Sequence, residues 1–333
     1  SRELIKFLME LDIIKVKTRY IYNMYAAIVT GPDGQDGTYM CELLQEKGYH
    51  LVKFRGDVGN YDEVYTVIQS CVDFECIEVY NLAAKVHASS PTDTFHVNTM
   101  GILNIMEAVK NTENKSKYRI FQASSSEIFA NHWETPQTEH SMRVPGNIYG
   151  ISKVSADSMV RYYRETHDLH VCSGILYNHE SPRRKGIYVT QKIIKGLQSG
   201  ECFQIGNLES RRDWGHAKDY VKAMWLMLQQ SLPEDFIIAT GKTYSVREFI
   251  EIVVGKLNKT ITWSGQGKYE VGKIDDKVVV EVSEKFYRSD NKTLLVGNAK
   301  RIEKLGWVRE YDIDSLIEEM LHPFQEKFQV SNT

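Results

Sequence analysis

Ala26-Ala27-Ile28-Val29-Thr30 is an apolar run that passes directly into Gly31-Pro32-Asp33-Gly34-Gln35-Asp36-Gly37. A helical pattern follows, with Tyr39, Met40, Leu43 and Leu44 on one face, and ends at Gly48. Strand, glycine-spaced turn and helix, in that order, constrain the chain more than any other feature. The glycines allow a tight turn and a close ligand approach. The helix N-terminus offers free N–H groups and a positive dipole end to a dinucleotide diphosphate. Asp33 is the odd residue, since a carboxylate in such a turn repels phosphate unless it points outward or caps the helix.

The alternation continues. His50-Leu51-Val52-Lys53-Phe54 predicts a second strand, residues 61–73 a helix and residues 77–84 a strand. Residues 94–110, 119–123, 149–166 and 171–177 then predict helix, strand, helix and strand. Repeated strand–helix units imply a parallel sheet covered on both faces, and right-handed crossovers make it an α/β, Rossmann-like doubly wound sheet. Beyond residue 178 the pattern is less regular. A helix containing Val221, Met224, Trp225 and Leu228, short helices over 246–257 and 313–320, and a strand-like 278–282 predict a smaller α/β C-terminal part.

The candidate chemistry lies where a strand ends. Ile120-Phe121 runs into Gln122-Ala123-Ser124-Ser125-Ser126-Glu127, and Tyr149-Gly150-Ile151-Ser152-Lys153 opens a helical pattern farther on. At a spacing of four, Tyr149 and Lys153 share a helix face. A lysine cation beside a phenol favours the phenolate, so Tyr149 can act as a base below its ordinary pKa of about 10. Glu127 supplies a second acid/base. Two basic loops, Asn178-His179-Glu180-Ser181-Pro182-Arg183-Arg184-Lys185-Gly186 and Arg211-Arg212-Asp213-Trp214-Gly215-His216, suit diphosphate recognition by planar, bidentate hydrogen bonds.

Composition excludes several classes. The net charge of −3 over 333 residues gives no basic footprint for nucleic acid. No apolar run approaches the ~18 residues of a membrane span. The five cysteines form no metal-like or Cys-x-x-Cys spacing, which fits reduced thiols in a cytoplasmic protein and no metal site.

These motifs converge. The chain resembles the GDP-mannose 4,6-dehydratases, a branch of the extended short-chain dehydrogenase/reductase superfamily, from about residue 26 to about residue 319. The strings Asn-His-Glu-Ser-Pro-Arg-Arg and Arg-Asp-Trp-Gly-His-Ala-Lys-Asp-Tyr carry it most specifically. The resemblance implies NADP as a recycled cofactor, with NAD the alternative, GDP-mannose as substrate, and a homo-oligomer. Tyr149 with Lys153 would take the C4 hydroxyl proton as hydride leaves C4. Glu127 would remove the C5 proton as the C6 hydroxyl departs, and Ser125 would bind the C4 oxygen. Gly31, Gly34, Gln35, Asp36 and Gly37 would hold the cofactor diphosphate, and Arg55, Asp57 and Val58 its adenosine end. Leu82, Ala83, Ala84, Lys85, Val86, Lys153, His179 and Arg184 would complete the cofactor contacts. Asn178, Lys192, Arg212 and Arg288 match positions on the GDP side. The implied division is an N-terminal extension over residues 1–24, a mainly dinucleotide-binding domain over 25–177, and a mainly GDP-sugar-binding part over 178–333 that returns a strand to the sheet. Leu4, Ile5, Phe7, Leu8 and Leu11 give the extension a helical spacing.

The sequence also departs from the family. Between Phe54 and Gly56 it lacks an arginine-rich loop and the helix and strand that follow it, so one strand is expected where relatives have two. Pro32 and Asp33 replace Ile-Thr, Lys85 and Val86 replace Gln-Ser, and Gln191 replaces an arginine. Ser289-Asp290-Asn291 replace a Pro-x-Glu string. These departures leave the reading of a catalytically impaired paralogue or splice form acting as a nucleotide-sugar-binding or regulatory subunit; another sugar-nucleotide reductase or epimerase is the remaining alternative.

Overall fold

A computed structural model describes residues 24–86, 90–186, 188–287 and 294–322. Its organising element is a six-stranded, fully parallel sheet in the order β2-β1-β3-β4-β5-β10. These strands are β1 (Tyr25–Thr30), β2 (His50–Phe54), β3 (Cys76–Asn81), β4 (Tyr118–Ala123), β5 (His170–Leu176) and β10 (Phe236–Ile238). Among the described residues β2 is the edge of the sheet, with no strand outside it.

Helices cover both faces, as the continuous apolar strands require. On one face lie α1 (Gln35–Glu46) and α7 (Ala217–Leu228), sharing a core of Val29, Met40, Leu44, Phe121 and Met224. On the other lie α2 (Tyr61–Gln69), α4 (Gly101–Lys110) and α5 (Ile148–His167), around Ile28, Ile68, Ile105, Ile120 and Val160. α2 stops at Gln69, short of the expected 73. The helix expected over 94–110 begins at Pro91 as α3 (Pro91–Phe95), with Ser90 as N-cap, and passes through a π-helical turn, His96–Met100. The proline at the first position is favourable because its missing N–H would have had no helical partner.

The second half adds its own core. α6 (Val189–Ser199), α8 (Val246–Lys256) and α9 (Ile313–Leu321) pack around Phe249, Ile250, Ile317 and Trp214. They lie against a four-stranded sheet ordered β12 (Thr262–Ser264), β13 (Val271–Ile274), β14 (Lys277–Val282) and β7 (Phe203–Ile205). Only β14 was anticipated from the sequence. Two further pairings matter for the site: β6 (His179–Glu180) with β9 (Gly215–His216), and β8 (Arg211–Arg212) with β11 (Tyr244–Ser245). They pin both basic loops beside the C-terminal ends of the parallel strands.

Candidate active site

The strand ends of the main sheet are stitched together by side chains. Thr30 Oγ1 donates to Asn81 Oδ1 at 2.7 Å, and Asn81 Nδ2 donates to Gln122 Oε1 at 2.7 Å. The N–H groups of Leu82 and Ala83 both reach Thr30 Oγ1 at 3.1 Å. β1, β3 and β4 therefore end in one rigid rim. Above it opens a cleft of about 1000 Å³, lined by the glycine turn on one side and the serine cluster and α5 on the other.

The turn has the shape a diphosphate needs. Gly31 has φ +64°, and a Cβ there would sit 3.0 Å from the Ala83 backbone. A Cβ on Gly37 would lie 2.1 Å from the Gly31 carbonyl oxygen. Gly34, the N-cap of α1, provides no side-chain cap, so the first-turn N–H groups are left to an incoming anion. The cradle thus fits a dinucleotide.

Asp36 and Gln35 are tied to the Asn178 loop. Asp36 Oδ2 lies 2.8 Å from His179 Nε2, Gln35 Nε2 donates to the His179 carbonyl at 3.1 Å, and Ser181 Oγ donates to Gln35 Oε1 at 2.8 Å. Burial pushes the Asp36 carboxyl up, but the His179 charge and hydrogen bond outweigh it and leave the carboxyl below its usual range. The imidazole is burdened by burial too, yet Asp36 holds its pKa above the ordinary histidine value. His179 stacks on Tyr220, with ring centroids 4.4 Å apart.

Across the cleft, Lys153 is 1% exposed and donates from Nζ to the Ala123 carbonyl at 2.8 Å. Burial brings its pKa down to about 8, opposed by the buried carboxylate of Asp157 one turn farther along α5. Lys153 Nζ lies 5.6 Å from the centroid of the Tyr149 ring. Burial pushes the Tyr149 phenol upward, opposed first by a hydrogen bond with Ser125. Ser125 caps the 3₁₀ turn Ser126–Phe129, which carries Glu127, by accepting from Glu127 N–H at 3.3 Å. Glu127 Oε2 accepts from Asn147 Nδ2 at 2.7 Å.

Most of the sequence-predicted residues meet on this cleft. Gly31, Gly34, Gln35, Asp36, Gly37, Leu82, Ala84 and Val86 line the turn side, and Ser125, Glu127, Tyr149 and Lys153 line the opposite wall. Asn178, His179, Arg184 and Arg212 close it from the second half. Others are absent from its lining. Ala83 backs Gly31, and the Lys85 backbone is bonded on both sides to the buried Asn98. Arg55 is engaged by Asp33 at 2.7 and 2.8 Å, and Asp57 pairs with His96 at 2.8 Å. Val58 is buried beneath Gly101. Lys192 faces the Phe286 ring at 4.4 Å, and Arg288 lies outside the described residues.

Sequence reasoning missed two polar residues. Asn98 donates to the Lys85 carbonyl and to Ser152 Oγ, both at 3.0 Å, joining the 82–86 loop to α5. Asn147 caps α5 while holding Glu127. Neither belongs to a motif, and only three-dimensional proximity gives them a role. Among the described residues no group of His, Cys, Asp or Glu could hold a metal ion, and no helix is long and apolar enough to cross a membrane.

Comparisons agree with this geometry. The sequence profile of the family described as GDP-mannose 4,6 dehydratase matches residues 51–320. The Homo sapiens GDP-mannose 4,6 dehydratase is 39% identical over 335 residues, covering 89% of this chain and 90% of that protein. The Vibrio cholerae enzyme of that name is 37% identical, covering 89% of this chain and 92% of that protein. Among solved structures, a Bacillus anthracis dTDP-glucose 4,6-dehydratase in complex with NAD superposes with a TM-score of 0.72 at 19% identity. It covers 90% of this chain and 95% of its own. A Thermus thermophilus UDP-glucose 4-epimerase superposes with a TM-score of 0.71 at 19% identity, covering 89% and 99%, so the fold is shared across this enzyme group. With 39% identity over most of its length and a family profile spanning residues 51–320, the chain belongs to the GDP-mannose 4,6-dehydratase family.

Proposed function

We propose that the protein is a hydro-lyase that converts GDP-D-mannose to GDP-4-dehydro-6-deoxy-D-mannose. The observation that carries this reading is the meeting of Ser125, Glu127, Tyr149 and Lys153 on one wall of a cleft whose other wall is a diphosphate-shaped glycine turn. Oxidation and elimination need two separate proton acceptors within reach of one sugar ring, and Tyr149 and Glu127 supply them. Residues 25–177 mainly hold the dinucleotide, which by the family's pattern is NADP, and the part beyond 178 mainly holds the GDP-sugar.

A dinucleotide held by the glycine turn would supply the hydride acceptor for C4 and the hydride donor for C6, so none would be consumed. Tyr149, acting as its phenolate, accepts the C4 hydroxyl proton while Ser125 hydrogen-bonds the C4 oxygen. The new C4 ketone acidifies the C5 proton, and Glu127 removes it. A C5–C6 double bond forms as the C6–O bond breaks, and the departing hydroxide takes that proton from Glu127 as water. The proton first held by Tyr149 returns to C5, so the balance closes at the loss of one water. Lys153, fixed by the Ala123 carbonyl, keeps a positive charge beside the phenol. Arg184 and Arg212 place guanidinium groups on the cleft wall where diphosphates are to be held. A cytoplasmic homo-oligomer completes the proposal; all five cysteines are free thiols, which supports a reducing setting.

The test is incubation with GDP-mannose and either NADP or NAD, reading the sugar nucleotide by mass for loss of one water. Product that disappears in Glu127→Gln and in Tyr149→Phe supports the reading. Measurable GDP-mannose binding without product from either dinucleotide overturns it.

A further inference from the structure

A single side-chain amide joins the two halves of the catalytic arrangement. Asn147 Oδ1 accepts from Gly150 N–H at 2.8 Å and so caps α5, the helix that carries Tyr149 and Lys153. Its Nδ2 donates to Glu127 Oε2 at 2.7 Å. The amide cannot work the other way round, because its oxygen would face a carboxylate and its NH₂ would face an N–H.

The surroundings make this seat rigid. Asn131 N–H donates to the Val144 carbonyl at 2.9 Å, and Asn131 Nδ2 reaches the Pro145 carbonyl at 3.4 Å, anchoring the turn that precedes Asn147. The first turn of α5 runs so close to the Glu127 backbone that a Cβ on Gly150 would lie 2.7 Å from the Glu127 carbonyl oxygen. With Oε2 held by the amide, Oε1 is the oxygen left for substrate. A glutamate on a short 3₁₀ turn has several rotamers, and a base that must meet a C–H proton gains from having one of them fixed.

We propose that Asn147 is a positioning residue for the elimination: it orients Glu127 and keeps that carboxylate in register with Tyr149. This rests on the function proposed above. It assigns Asn147 more than the role of a helix cap, and the two roles can be separated.

Asn147→Asp separates them. Aspartate caps a helix as well as asparagine does, so the fold and α5 are retained. The donor to Glu127, however, becomes a second carboxylate. The expected result is a protein that still folds and melts cooperatively, with unchanged dinucleotide binding and unchanged KM, and kcat lower by about a hundredfold. Deuterium at C5 of GDP-mannose should then slow turnover more than it does in the wild type, while deuterium at C4 should slow it less. Asn147→Ser, which keeps a cap but is too short to serve both partners, should move both isotope effects the same way and guards against a folding defect in the first variant. A kcat within about twofold of wild type in both variants, or a slowing sensitive to C4 rather than C5 deuterium, overturns the proposal. A wild-type protein that forms no dehydrated product refutes the function itself, and the assay shows this before any variant is made.

Discussion

His179 and Asp36 form an ion pair at the N-terminus of α1: the imidazole Nε2 lies 2.8 Å from Asp36 Oδ2, and Nδ1 lies 2.7 Å from the Tyr177 carbonyl. Both ring nitrogens face acceptors, which favours the charged form of the ring and offsets the Asp36 carboxylate. His179 is raised and Asp36 lowered relative to their ordinary values. The histidine's contribution is complete below its unfolded pKa of about 6.5 and fades as pH rises through the raised folded value. The aspartate's is complete above about 4 and fades as pH falls through the lowered one. Asp36→Asn should therefore cost about 2 kcal/mol between those limits, with a cost that shrinks at alkaline pH. Denaturant titrations at pH 6 and pH 9 measure the difference.

The ion pair between Arg55 and Asp33 is mostly exposed, with side chains 57% and 61% accessible, so it adds little to stability. Its consequence is for recognition. In dinucleotide folds an arginine near the end of the second strand accommodates a 2′-phosphate, and here Asp33 occupies both Nε and Nη2 of that arginine. Asp33→Asn should release it and raise affinity for NADP relative to NAD by about tenfold. Parallel titrations of the two dinucleotides, with Arg55→Ala as the reverse control, read that ratio.

Lys153 carries a charge in a place that disfavours charge. Burial lowers its pKa from 10.5 to about 8, and a shift of that size corresponds to about 3 kcal/mol of penalty on the ammonium form. The hydrogen bond to Ala123 returns about 1 kcal/mol. Lys153→Met should thus stabilise the fold by about 2 kcal/mol at pH 7 while abolishing dehydration. Because the folded pKa is depressed, the penalty is complete below about 8 and vanishes towards 10.5, so the gain in melting temperature should disappear across that interval.

Gly37→Ala should be far more damaging than an ordinary helix substitution. The new methyl would sit 2.1 Å from the Gly31 carbonyl oxygen and 2.8 Å from Pro32 Cα, both backbone atoms with nowhere to move. The expected cost exceeds about 3 kcal/mol, with loss of dinucleotide binding in whatever fraction folds. Calorimetry and a dinucleotide titration check both parts.

What could be read in advance follows from the range of the interactions. The α/β alternation and the strand–turn–helix were legible because hydrophobic period and glycine spacing are local properties, and β1, α1, β4 and α5 lie where that period predicts. The four-stranded sheet was not, because its strands are three to six residues long and β7 pairs with β14 more than seventy positions away. The phenol of Tyr149 shows the same limit in chemistry. Spacing reveals that Lys153 shares its face, whereas only packing reveals that burial raises the phenol and that Ser125 opposes the rise. Asp33 was visible as an anomaly, but its partner twenty-two positions away became known only once β2 was placed beside β1.

The open edge at β2 carries a kinetic meaning. The proposed reaction borrows a hydride and gives it back, so the same dinucleotide must stay seated from the first transfer to the last. Among the described residues the sheet ends at β2, and on the proposed reading that edge is the adenosine side of the seat, which bears on the rate of departure more than on chemistry. Residence time then sets fidelity: a dinucleotide that leaves midway strands an unsaturated keto sugar on one side and a reduced coenzyme in solution on the other.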